Sequence, residues 1–195
     1  MKWFNDLVLW TQHTFAPLGL WGLFVLSVIE SIFFPVPPDI LIIILTLQNP
    51  SYFWLIALIA TAGSVVGGLI GYGVGYLGEK TILEKMFSKK KIDRVHKLFD
   101  RYGAGSVFIA AFTPLPYKIF TIGAGVFYIN IKKFILASFI GRGGRFFLVA
   151  WSVYAYGDSI AGTLDKYVIN PTTLTVISGV IILFVYIKYR KKIVF

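Results

Sequence analysis

The stretch Glu30-Ser31-Ile32-Phe33-Phe34-Pro35-Val36-Pro37-Pro38-Asp39 lies between two apolar runs, 18–29 and 40–47. Proline removes a backbone donor and breaks a helix. Three prolines here therefore interrupt what would otherwise be one apolar helix. A second stretch is built the same way: Thr113-Pro114-Leu115-Pro116-Tyr117-Lys118 separates 105–112 from 119–128. At about 1.5 Å per residue, none of these four runs crosses a hydrocarbon core of about 30 Å comfortably. Broken backbone at membrane depth persists only when it is buried in protein or lines a wet cavity. Both stretches therefore read as re-entrant helix–break–helix hairpins, with Pro35, Pro37, Pro38, Pro114 and Pro116 as the breaks.

The rest of the chain agrees with a membrane setting. Of its 195 residues, 57% are hydrophobic and only 14% are charged. A soluble domain is usually about 45–50% apolar and about 25% charged. The chain has no cysteine and two histidines, His13 and His96. That composition excludes a disulfide scaffold, a thiolate metal site and a multi-histidine site; no cofactor and no metal are expected. No charge occurs between Asp39 and Glu79, and Gln48-Asn49-Pro50-Ser51 breaks that stretch, leaving a full span at 53–77. Two more spans are expected at 134–157 and 172–187.

The two hairpins look like repeats. Pro35-x-Pro37 and Pro114-x-Pro116 are in register at an offset of 79, and a long apolar helix with several glycines follows each. The net charge of +10 gathers mainly in the segment 78–104 and at Lys188, Arg190, Lys191 and Lys192. Clusters of this kind beside apolar spans mark the cytoplasmic side and contact anionic lipid; nucleic acid is not an expected partner. The hairpins would then enter from opposite faces, the inverted arrangement that builds midplane sites in secondary transporters. The expected architecture is all-α and polytopic, a single membrane domain over 1–195 with two inverted repeats. It comprises an interfacial amphipathic helix (1–17), a first repeat (18–77), a basic cytoplasmic loop (78–104), a second repeat (105–157), and a C-terminal helix with a basic tail (172–195).

Against so apolar a background, single charges stand out. Glu30 and Asp39 flank the first break. A carboxylate at bilayer depth costs at least a few kcal/mol and usually serves transport or proton relay. Glu30 at the interface, or in a structural pair, is the plainer reading, and Asp39 could also cap the helix that follows it. Lys118 closes the second break, and Arg142 and Arg145 share one helix face, with Gly141, Gly143 and Gly144 around them. Arginine's planar fork suits a phosphate; the alternative is an inner-leaflet anchor, since Arg142 follows Lys133 by only nine residues. The natural arrangement sets acids from the first hairpin against bases from the second half. Gly67, Gly71 and Gly75 have the four-residue spacing of close helix packing and lack the βαβ context of a nucleotide loop. Tyr117, Gly123 and Gly125 are candidates to line a cavity, and an interfacial place for Tyr117 fits equally well.

These strings resemble the DedA family of bacterial membrane proteins, also described as SNARE-associated or VTT-domain proteins. The resemblance lies in Glu30 with Phe33–Asp39, in Phe99-Asp100-Arg101-Tyr102-Gly103, in the run from Phe112 to Gly125, and in Gly141-Arg142-Gly143-Gly144-Arg145-Phe146. It covers about residues 15–160. It implies two oppositely facing re-entrant hairpins in the cytoplasmic membrane, and transport of undecaprenyl phosphate or another phospholipid tied to the proton gradient. The family's acidic pair maps onto Glu30 and Asp39, at a shorter spacing. One basic position is Ala111 here and another is approximately Lys118, so Arg142 and Arg145 would supply the missing charge. The expectation is therefore a lipid transporter, not an enzyme. Glu30 and Asp39 would couple to protons, and Lys118, Arg142 and Arg145 would hold the lipid phosphate. A proton-coupled ion or small-solute antiporter using the same carboxylates is the alternative.

Overall fold

The computed structural model describes residue 10 and residues 13–32, 37–86, 89–113 and 115–164, and outside 79–94 and 158–164 it describes their side chains as well. Pro35, Pro114, the expected span at 172–187 with its basic tail, and most of 1–17 lie outside the described residues. Those described form seven α-helices and contain no strand. They are α1 (Gly19–Ile32), α2 (Asp39–Gln48), α3 (Phe53–Met86), α4 (Lys89–Tyr102), α5 (Gly105–Phe112), α6 (Tyr117–Val126) and α7 (Ile131–Leu164). Short 3₁₀ turns at Ala16–Leu18 and Pro50–Tyr52 lead into α1 and α3.

The helices fall into short and long classes. With 34 residues each, α3 and α7 exceed the bilayer core. The pairs α1–α2 (14 and 10 residues) and α5–α6 (8 and 10 residues) flank the two proline breaks. Three apolar helical stretches are long enough to cross a membrane: His13–Ile32, Pro50–Gly78 and Ile131–Gly157. The first is not straight. Gly19 has φ +55, which turns the chain and brings the Phe15 carbonyl to where a Cβ on Gly22 would sit. The straight arm, α1, is therefore only about 21 Å long at the helical rise.

Helix α3 is the mounting post. Without a hydrophobic drive between membrane helices, small residues that let backbones approach closely hold them together. A Cβ on Gly67 would lie 2.4 Å from the Val28 carbonyl oxygen of α1. A Cβ on Gly75 would lie 2.0 Å from the Ile122 carbonyl oxygen of α6. One glycine-bearing stripe of α3 thus receives α1 at one level and α6 about two turns further along. Around it are two apolar clusters. Leu23, Leu26, Leu41, Ile42, Ile56 and Phe146 form the first; Tyr72, Val107, Ala111, Phe120 and Phe134 belong to the second. The outward faces are apolar too: Trp54, Leu58, Val66, Ile70 and Val74 run down α3, and Leu136, Phe139, Ile140, Phe147 and Leu148 down α7, all exposed. Apolar surface of this extent belongs against lipid, so the protein is a membrane protein.

The basic segment 78–104 is helical rather than a loop. Helix α3 continues to Met86, and α4 covers Lys89–Tyr102. Val95 and Phe99 of α4 are buried, whereas His96, Lys97, Asp100 and Arg101 are exposed, and His96 Nδ1 lies 2.7 Å from Asp100 Oδ2 one turn on. The apolar period, masked in the sequence by so many lysines, docks this helix on α5 and α6.

Candidate functional site

Four charged residues meet where the first helix pair approaches α7. Glu30 comes from the last turn of α1 and Asp39 is the first residue of α2; both acids meet bases within one turn of α7. Arg142 and Arg145 lie on one face of α7. Arg142 Nη2 bonds Glu30 Oε2, and Arg145 Nη2 lies 2.9 Å from Asp39 Oδ2.

The two pairs have different surroundings. The Arg142 side chain is only 3% exposed, with its guanidinium between the rings of Tyr117 (5.1 Å) and Phe146 (4.7 Å). Cation–π attraction of this kind strengthens when the cation is desolvated. Arg142 Nε donates to Ser64 Oγ at 2.6 Å. Ser64 and Ser31 hydroxyls are 2.8 Å apart, and Ser31 Oγ donates to Glu30 Oε2 at 3.3 Å. An ionised carboxylate only accepts, which fixes the direction: Arg142 donates to Ser64, Ser64 to Ser31, and Ser31 to Glu30. The ring closes through the direct Arg142–Glu30 bond. In the second pair the two residues differ from the first in opposite senses: Arg145 is more exposed than Arg142 (21% against 3%), Asp39 less exposed than Glu30 (14% against 21%), and Arg145 Nε is a buried donor with no hydrogen-bond partner.

Comparison with known proteins gives this arrangement a family. The VTT domain model matches residues 34–155, more than half of the chain. The chain belongs to the VTT-domain, or DedA, family. Among its relatives, an uncharacterised Haemophilus influenzae protein is 35% identical over 80% of this chain and 82% of its own. A Lactococcus lactis protein named alkaline phosphatase-like is 30% identical over 89% and 87%. Undecaprenyl phosphate transporter A of Bacillus subtilis is 26% identical over 67% and 72%. No solved structure gives a significant match.

In this VTT-domain chain the structure brings Glu30, Asp39, Arg142, Arg145 and Tyr117 together and leaves other singled-out residues aside. Lys118 is half-buried and makes no ion pair among the described residues; its carbonyl accepts from Thr121 Oγ1 at 3.0 Å. Gly123 and Gly125 are helix contacts: a Cβ on the first would meet Phe99 and Val95, and on the second the Tyr72 carbonyl. Asp39 does not cap α2. Pro38 occupies that position without a side-chain bond, because the carboxylate is engaged by Arg145. Arg142 is buried among polar partners, which removes the inner-leaflet anchor as its role. Tyr117 is buried, not interfacial. The remaining break prolines open helices: Pro38 and Pro116 carbonyls accept from Ile42 and Ile119 (both 3.0 Å), with Pro37 just before the first. Ser31 and Ser64 were not anticipated. Their signal was Ser27/Ser31 and Thr61/Ser64 at one-turn spacing within apolar helices.

Proposed function

We propose that the protein carries a phosphate-bearing lipid, such as a polyprenyl phosphate, across the cytoplasmic membrane by exchanging carboxylate for phosphate on Arg142 and Arg145, coupled to protons. The single observation behind this reading is that the buried Arg142 and the half-buried Arg145 each already hold a carboxylate from the opposite half of the fold. Two acids and two bases balance, so neither arginine is left as an uncompensated charge at rest. A lipid phosphate offers the guanidinium fork the same oxygen geometry as a carboxylate, with more acceptors. It displaces Glu30 or Asp39 without leaving a bare buried charge only when the displaced carboxylate takes up a proton. Phosphate binding and proton uptake are thereby linked, and deprotonation on the other side restores the pair and expels the head group.

In this reading the two short helix pairs are re-entrant hairpins of inverted repeats. The segment 78–104 and the C-terminus face the cytoplasm, and motion of one repeat against the other alternates access. Lys118, without a carboxylate partner among the described residues, gives the head group its first contact at the second break. Relatives named undecaprenyl phosphate transporters support the substrate class. The test is transport of a labelled polyprenyl phosphate into proteoliposomes under a pH gradient. Arg145→Ala is expected to lower the rate at least about tenfold, one decade being about 1.4 kcal/mol, and Glu30→Gln to uncouple transport from the gradient. Unchanged, gradient-dependent transport in both variants overturns the proposal.

A further inference from the structure

Four buried hydroxyls stand on α1 and α3: Ser27 and Ser31 on the first, Thr61 and Ser64 on the second. A serine or threonine inside a helix can satisfy its hydroxyl on the carbonyl one turn back. Ser27 does so on Leu23 at 2.8 Å, and Thr61 on Ala57 at 2.7 Å. Ser31 and Ser64, one turn further on, spend their hydroxyls differently. They meet each other across the two helices at 2.8 Å and link Glu30 to Arg142. We propose that Ser31 and Ser64 are positioning residues for the coupled exchange: they give Glu30 a hydrogen-bond partner in both of its protonation states and keep Arg142 in place while the direct Arg142–Glu30 bond is open. The inference rests on the function proposed above and adds the device that lets the pair open and close in register.

The chemistry of a hydroxyl fits this task. An ionised carboxylate only accepts, a protonated one also donates, and a hydroxyl does both. At rest Ser31 donates to Glu30. Once Glu30 is protonated, Ser31 accepts from it and donates to Ser64, which turns its own proton to the Ala60 carbonyl one turn back. That last bond is of the kind Ser27 and Thr61 already make. Only hydroxyl hydrogens turn, and no heavy atom has to move. The proton itself enters at Glu30, whose side chain is 21% exposed, and not through the buried serines. Among the described residues, Arg142 of α7 and Tyr117 of α6 are the titratable groups facing Glu30. Asp39 of α2 is held by Arg145, and α3 has no charged residue before Glu79.

Arg142 gains in the same way. Its Nε bond to Ser64 and its contacts with the Tyr117 and Phe146 rings do not involve Glu30. When the carboxylate leaves, no buried Nε is stranded, an outcome that would be costly, and the Nη groups stay aimed for the phosphate. The serines in turn are fixed by backbone contact. A Cβ on Gly67, one turn after Ser64, would lie 2.8 Å from the Ser31 Cβ. The close approach of α1 to α3 therefore sets the Ser31–Ser64 spacing without help from α7. The second pair has no such arrangement, since Arg145 Nε lacks a partner.

The test uses the full chain in proteoliposomes with a labelled polyprenyl monophosphate. The quantity read is the transport rate with a pH gradient divided by the rate without one, in a single preparation, so that differences in the amount of folded protein cancel. Ser31→Ala and Ser64→Ala are each expected to lower this ratio at least about fivefold, the factor that one hydrogen bond is worth. Ser64→Cys fills nearly the same space with a much weaker donor and acceptor, and it is expected to behave as Ser64→Ala does. Ser27→Ala, which removes an equally buried hydroxyl bonded within its own helix, is expected to keep the wild-type ratio. A wild-type ratio in Ser31→Ala and Ser64→Ala, when Glu30→Gln has lost it, overturns the inference and leaves the function standing. A wild-type ratio in Ser64→Cys shows that the residue fills space, and an equal loss in Ser27→Ala shows a general packing effect; either overturns the inference. If Glu30→Gln and Arg145→Ala both keep gradient-dependent transport, the function itself fails and the inference falls with it.

Discussion

The two short helix pairs are mounted alike and equipped differently. Helix α1 docks on α3 at Gly67 and α6 docks on it at Gly75, each through a backbone approach that leaves no room for a Cβ. The first pair delivers two carboxylates to α7, whereas the second delivers the uncharged face of Tyr117 under Arg142 and leaves Lys118 without an ion partner among the described residues. A shared mount therefore does not mean a shared task. Under the function proposed above, the first pair supplies the charges that exchange, and the second supplies a platform for the deepest of them.

Removing charge at each break is the strongest way to break this comparison. Truncating one partner of a buried ion pair leaves the other uncompensated and costs about 3–5 kcal/mol. Arg142→Ala, which strands Glu30 and its serine ring, is expected to fall in that range when thermal unfolding is followed in detergent. Lys118→Gln is expected to stay within about 0.5 kcal/mol, as for substitutions away from special contacts. Equal losses at the two positions would show that Lys118 belongs to the charged cluster.

The mount itself is tested next. Gly67→Ala and Gly75→Ala each push a methyl into a backbone carbonyl, and overpacking of this sort costs about 1–3 kcal/mol. Similar losses are expected for both, because the obstructing atoms are the equivalent carbonyls of Val28 and Ile122. Gly73, with nothing near its Cβ position, is the control: Gly73→Ala is expected to be neutral or to gain up to about 1 kcal/mol from helix propensity. A marked asymmetry between Gly67 and Gly75 in the same unfolding assay would mean that one pair is only loosely held.

Much of this difference was legible in the sequence, and what was not has a physical reason. The breaks at 30–39 and 113–118, and the scarcity of charge that isolates Glu30, Asp39, Arg142 and Arg145, need only local reading. Which acid meets which base does not follow locally, since the partners lie 112 and 106 residues apart. Asp39 shows the cost of reading locally: as the residue after Pro38 it looks like a cap, yet a distant arginine takes the carboxylate. Ser64 was missed because a serine in a glycine-rich membrane helix looks like packing until its partner is known. Helix α4 was read as loop because its lysines hide the period of Val95 and Phe99.

The smallest expected effect sharpens the comparison most. The Tyr117 hydroxyl is buried near the Ser138 hydroxyl without a well-formed hydrogen bond, in the space left by Gly68, whose Cβ would sit 2.6 Å from it. A buried hydroxyl left unpaired costs about 1–3 kcal/mol, whereas the ring beneath Arg142 is retained in Tyr117→Phe. If the second pair is only a platform, this variant should unfold at the same temperature or slightly higher. It should also carry lipid at a rate within about twofold of wild type, which is under 0.5 kcal/mol of barrier. A tenfold loss of transport with undiminished stability would have a different meaning. It would show that the hydroxyl finds its partner only when the lipid phosphate arrives, so that the second pair, too, contributes a ligand to the site.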